Sequence, residues 1–145
     1  ERYSGRWLLV HRKGATRALP AGHEGNPACY RDTGHPAIIP GSMGTGSYVV
    51  LGTHRIKETF CSVNHGAGRV MSRKRAKSEF TKEDLAKQMG HVVTIARSMK
   101  SLLDEAPLAY KDIDEVIYTL VEAGLTRPLV KLSPMGVLKG EGSEG

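Results

Sequence analysis

Cysteine and aromatic residues are scarce in this sequence. Two cysteines, Cys29 and Cys61, stand far apart with no C-x-x-C pairing. That excludes a disulfide framework and a zinc ribbon, and fits reduced thiols in a cytoplasmic protein. Aromatic residues are 6% of the 145 residues, so a core has to be built from Val, Ile, Leu, Met and Ala. No apolar run approaches the roughly 20 residues that a membrane-spanning helix requires. No signal peptide is visible, and no membrane partner is expected. Acidic residues are the minority: 15 Asp and Glu against 21 Lys and Arg, a net charge of +6. That balance favours an anionic partner without naming one. There is no internal repeat. The first residue is Glu1 rather than Met, which reads as a processed chain or a C-terminal piece of a longer one.

What is present reads as a mixed α/β chain, strands and loops first, helices and strands after. WLLVH (7–11), AIIP (37–40), YVVLG (48–52), FCSV (60–63) and HVVTIA (91–96) are short apolar strand candidates. Residues 12–35 are rich in Gly, Pro and polar residues and read as one long loop; loops of that length are usually functional or disordered. Thr81 caps a helix with acids in its first turn that stops at Gly90. Asp112 caps a second, whose Ile113, Val116, Ile117, Leu120 and Val121 recur at the helical period before Gly124. Residues 104–111 hold a proline and read as a turn. PLVKL and GVLKG are extended, and the tail 141–145 is expected to be disordered.

Two glycine-rich stretches carry chemistry. GSMGTGS (41–47) has Gly41 and Gly46 at the spacing of a phosphate-binding P-loop, but Ser47 stands where that motif needs lysine and a strand follows where it needs a helix. The loop nevertheless suits an anion, through backbone N–H groups and the hydroxyls of Ser42, Thr45 and Ser47; a plain strand connection is the other reading. NHGAGR (64–69) sets His65 before Gly66 and Gly68, where glycines remove side-chain bulk from a ligand's approach. A neutral imidazole is a nucleophile and a metal ligand, though a lone histidine is more often structural. Arg69 is positioned to meet phosphate charge. His11 precedes Arg12, Lys13 and Arg17 in a cationic loop. His23, His35, His54 and His91 read as surface or loop residues. The run Arg69, Arg73, Lys74, Arg75, Lys77 is a solvated face by default and, beside His65, a path for a polyanion. No aromatics interleave with it.

HRKGATRA (11–18), IIPGSMGTGSY (38–48), NHGAGRVMSR (64–73), EAPLAYKDIDEV (105–116) and LSPMGVLKG (132–140) occur in this order. Together they resemble the C-terminal part of the RtcB family of RNA ligases, over residues 1–140. The resemblance implies an RtcB-like α/β fold, C-terminal portion only, and an enzyme of roughly three times this length. It implies a GTP- and Mn²⁺-dependent ligase joining RNA 3′-phosphate or 2′,3′-cyclic phosphate ends to 5′-hydroxyl ends in tRNA splicing and RNA repair. The path runs through a guanylylated histidine and an RNA-(3′)pp(5′)G intermediate. By the same resemblance His65 is the nucleophile and His11 a manganese ligand. Ser42, Met43, Gly44, Thr45, Ser47, Gly66, Ala67, Gly68, Arg69, Tyr110 and Lys139, with His65, hold the nucleotide. Arg12, Lys13, Arg69 and Arg73 meet RNA or phosphate. The implied partners are RNA, the N-terminal half of the ligase, which carries the other metal ligands, and archease; without that half the chain is expected to be inactive. A non-catalytic RNA- or nucleotide-binding module, or a truncated remnant, are the alternatives.

Overall fold

The chain is described from a computed structural model, over residues 1–139. It opens with a hairpin of β1 (Arg2–Tyr3) and β2 (Arg6–Trp7), turned by Ser4 and Gly5, both at positive φ. The expected strand 7–11 stops at Trp7. Among the described residues it has no strand partner beyond the hairpin, and Trp7 and Leu9 stay exposed. The segment 12–35, expected as loop, contains β3 (Ala15–Arg17), which pairs antiparallel with β6 (Ser62–Asn64). A strand of three residues has almost no local signature; a partner distant in sequence creates it. The β6 strand starts two residues later than FCSV suggested, because Phe60 and Cys61 take left-handed conformations, φ 54° and 48°.

β4 (Ala37–Pro40), β5 (Ser47–Gly52) and β8 (Thr126–Leu132) form an antiparallel sheet in the order β4-β5-β8, with a bulge on the β8 side at Val49/Val50. α3 (Ile113–Glu122), capped by Asp112 as expected, packs on one face of this sheet. Ile113 and Ile117 enter a core with Ala37, Ile39, Val50, Ile56 and Cys61. Leu120 packs at its margin, while Val121, expected on the same stripe, is 41% exposed. The helix ends before Gly124, φ +68°.

A second core lies under α2 (Lys82–Met89). Thr81 and Asp84 form a full capping box there, and Leu85 and Met89 are buried with Leu102, Leu103 and Met43. The basic run at 73–77 is not merely a solvated face. It is α1 (Arg73–Glu79), capped by the Ser72 hydroxyl and anchored by Ala76, its single buried residue. One small apolar residue leaves too weak a periodicity to read as a helix. Residues 99–109, expected as a turn from 104, wind into two 3-10 segments, Met99–Glu105 and Pro107–Ala109. β7 (Val93–Ala96) and β9 (Gly136–Lys139) pair in parallel. The expected disordered tail, 141–145, lies outside the described residues. No described helix is long and apolar enough to cross a membrane.

Candidate active site

The β3–β6 ladder presents His65. The pair Ala15–Asn64 closes it, and the His65 N–H donates to the Gly14 carbonyl at 3.0 Å. The backbone is thus held while the imidazole projects outward, exposed. Two residues on, the Ala67 N–H donates to the Pro40 carbonyl at 2.9 Å, tying the loop to the end of β4. A Cβ on Gly66 would sit 3.1 Å from that same carbonyl, and Gly68 lies at φ +81°. His65 therefore borders a cavity of about 330 Å³ walled by Gly14, Pro40, Gly41, Gly66, Gly68 and Tyr110. A wider cleft of about 670 Å³ continues from Gly66–Gly68 along α3 past Lys111, Glu115 and Thr119.

Arg69 and Tyr110 brace this loop. The two residues form an antiparallel bridge; Val70 N–H donates to Ala109 C=O and Lys111 N–H to Gly68 C=O, each at 2.9 Å. The Arg69 guanidinium donates to the carbonyls of Met71 and Asp104 and to the Tyr110 hydroxyl, stacks 4.8 Å from the Tyr110 ring, and lies 3.5 Å from Glu105. The Tyr110 hydroxyl donates to Glu105 in turn. Burial, then the adjoining Glu105 carboxylate, push the Tyr110 phenol above its ordinary pKa. Arg73, more exposed, reaches the same carboxylate at 3.1 Å. Glu105 had no role in the reading of the sequence. Its signal was available only as a carboxylate five residues before Tyr110 in EAPLAY.

The other expected residues are placed unevenly. The 41–47 loop folds on itself: Gly41 N–H donates to Gly46 C=O, Ser42 N–H to Thr45 Oγ1, and the Ser42 and Thr45 hydroxyls share a hydrogen bond of 2.9 Å. Gly44 N–H points to Ser42 Oγ at 3.4 Å. Met43 is buried in the second core, and Ser47 begins β5. Of this stretch, only Gly41 lines the His65 cavity. Lys139, at the end of β9, lines a separate shallow cavity with Ile95, Ala96 and Leu138. Arg12 turns back from the ladder. It grips Glu1 with two bonds of 2.9 and 2.7 Å and also donates to Phe60 C=O and Ser62 Oγ. That hydrogen bonding lowers the Glu1 carboxyl to about 2. His11 and Lys13 are exposed at the head of the same segment. Among the four remaining histidines, His35 lies in a loop, half-buried against Tyr30 with 5.0 Å between ring centroids. Among the described residues no three His, Cys, Asp or Glu side chains gather into a possible metal site. His11 by itself does not make a manganese site.

The geometry is an exposed imidazole at the end of a short two-stranded ladder, beside a cavity lined largely by glycines and braced by Arg69 and Tyr110. The family model described as "tRNA-splicing ligase RtcB" matches residues 1–140, and the chain belongs to the RtcB family. It is 48% identical over 136 residues to the tRNA-splicing ligase RtcB of Pyrococcus abyssi, covering 92% of this chain and 15% of that protein. It is 48% identical over 141 residues to that of Methanopyrus kandleri, covering 93% of this chain and 14% of that protein. With the Thermococcus kodakarensis protein the identity is 46%, over 92% of this chain and 28% of the relative. The chain thus spans a seventh to a little over a quarter of these relatives. The last figure is near the threefold length expected; the first two relatives are much longer.

Proposed function

We propose that this chain is the C-terminal portion of an RNA ligase of the RtcB type, with His65 as its nucleophile. The observation that carries the reading is the exposed His65 ring beside a cavity four of whose lining residues, Gly14, Gly41, Gly66 and Gly68, carry no side chains. An unprotonated ring nitrogen attacks the α-phosphorus of GTP; the P–N bond forms as the bond to the β-phosphate oxygen breaks and pyrophosphate leaves. An RNA 3′-phosphate oxygen then displaces the imidazole, giving RNA-(3′)pp(5′)G. The 5′-hydroxyl oxygen of the second RNA attacks the 3′-phosphorus, loses its proton and expels GMP.

Arg69 and Tyr110 serve this sequence by holding Gly66–Gly68 in place, since the donors of Arg69 are already engaged within the protein. Lys13, exposed and next in sequence to Gly14 of the cavity wall, and Arg73, exposed although paired with Glu105, are the cations this reading assigns to RNA phosphates. RNA ends are the substrates, in tRNA splicing or RNA repair; the remaining portion of the ligase, and archease, are the protein partners. In this reading manganese takes His11 as one ligand and its other donors from the remaining portion.

The test is guanylylation. The chain is incubated with α-labelled GTP and Mn²⁺, alone and with a polypeptide supplying the remaining portion, and the adduct is mapped by mass. A His65-linked GMP formed only in the second mixture is the expected result. An adduct retained by His65→Ala overturns the assignment. No adduct in either mixture, with salt-sensitive RNA binding intact, makes the chain a non-catalytic binding module.

A further inference from the structure

The β4-β5-β8 sheet has two faces; α3 covers one, and the other is open except at the Leu51 end, where that residue is buried. Side chains alternate along a strand. Ala37, Ile39, Tyr48 and Val50 point into the core under α3. The intervening residues therefore point the other way, and the register aligns them: Ile38 faces Val49, and Val49 faces Val130. Leu132, two residues beyond Val130, continues the row. Ile38, Val130 and Leu132 are 55%, 46% and 44% exposed, and neither core cluster includes any of the four. An antiparallel sheet with one face in water alternates apolar and polar residues along each strand; YVVL instead places apolar residues on both faces. Among the described residues β8 pairs only with β5, so its outer edge also carries backbone groups with no strand beside them there.

We infer that this outer face seats an apolar element of the remaining portion of the RtcB polypeptide. The inference rests on family membership and the chain's small share of its relatives' length, not on the catalytic reading. A second copy is the weaker occupant. A stable interface between separate chains takes roughly 20–30 residues a side, and a row of four side chains falls well short. An element of the same polypeptide escapes the entropy cost of association, so a small apolar row is enough to hold it.

The test is hydroxyl-radical labelling of Ile38, Val130 and Leu132 in the complete polypeptide, compared with the same protein unfolded in urea. Suppression of labelling by about tenfold, independent of protein concentration, is expected. Labelling near half the unfolded rate, as the present exposures imply, overturns the inference. Protection that disappears on dilution assigns the face to a second copy and overturns it too. Val130→Lys gives a second reading, with a melting temperature lowered by more than about 5 °C in the complete polypeptide; an unchanged melt counts against the inference. A polypeptide with no ligase activity but a protected face would sink the catalytic proposal and leave this one standing.

Discussion

Two glycine-rich turns of similar composition end in opposite states. In 41–47 the N–H groups of Gly41, Ser42 and Gly44 turn inward and Met43 plugs into a core. In 64–69 the N–H groups of His65 and Ala67 are taken by neighbouring segments, Gly14 and Pro40, and the loop is left open beside a cavity. Glycine content makes both turns possible. Where the backbone donors go decides which turn faces a ligand and which becomes a structural knot.

The sharpest break of this comparison is His65→Ala. In the complete ligase it is expected to lower GMP-adduct formation by at least about 10³-fold, the scale for loss of a covalent nucleophile. Because the ring is exposed, the melting temperature should not move. Mass spectrometry and a thermal melt check the two halves, and a large loss of stability would recast His65 as structural.

Alanine at the two kinds of glycine comes next. A Cβ on Gly41 runs into the Gly46 carbonyl, and one on Gly44 sits 2.8 Å from the Gln88 carbonyl and the Pro107 ring. Either change should cost about 2–4 kcal/mol in denaturant unfolding, as overpacking against backbone does. Gly68 has open space around it, so Gly68→Ala pays only for its positive φ, about 1–2 kcal/mol. Equal costs at all three would erase the distinction between closed and open turns.

Arg69→Met tests the brace. It removes the donors to Asp104, Met71 and Tyr110 and leaves Glu105 with Arg73 and the Tyr110 hydroxyl, at an expected cost of about 1–3 kcal/mol. Hydrogen exchange at Val70 and Lys111 should speed up while that at Leu85, in the other core, does not. Uniform acceleration would mean that the brace is not local.

The smallest effect concerns acid. The Glu1 carboxyl, held down to about 2 in the fold by Arg12, contributes stability that is complete above its ordinary value of 4.5. That contribution drains away as pH falls from 4.5 through 2. Partial exposure to solvent keeps it small and salt-sensitive. Glu1→Gln should flatten that part of the acid melting curve, and an unaltered curve would mean that the pair contributes nothing.

Much of the fold was legible where local signals were strong. β4 and β5 carry β-branched runs, α2 and α3 carry capping residues, and Gly90 and Gly124 mark their ends. The failures share a cause. β3 exists because β6 lies beside it, α1 is pinned by one alanine, and the start of β6 is set by the left-handed pair Phe60–Cys61. None of these leaves a periodic trace. At the site, His65 and its glycines stand out as a contiguous motif, whereas Gly14, Pro40 and Glu105 join it only across the fold.

By itself the sequence determined the family and the order of its motifs, because those are runs of contiguous residues whose chemistry is local. Only the tertiary structure decided that His65 borders an open cavity, that the 41–47 loop is closed on itself, and that Arg69 is spent on Tyr110, Glu105 and carbonyls. The first and the last depend on which distant carbonyl or carboxylate arrives alongside, and hydrogen bonds across tens of residues are not written in any local pattern. The loop closes through bonds between residues three to five apart, and there the folded backbone decides whether its donors face inward.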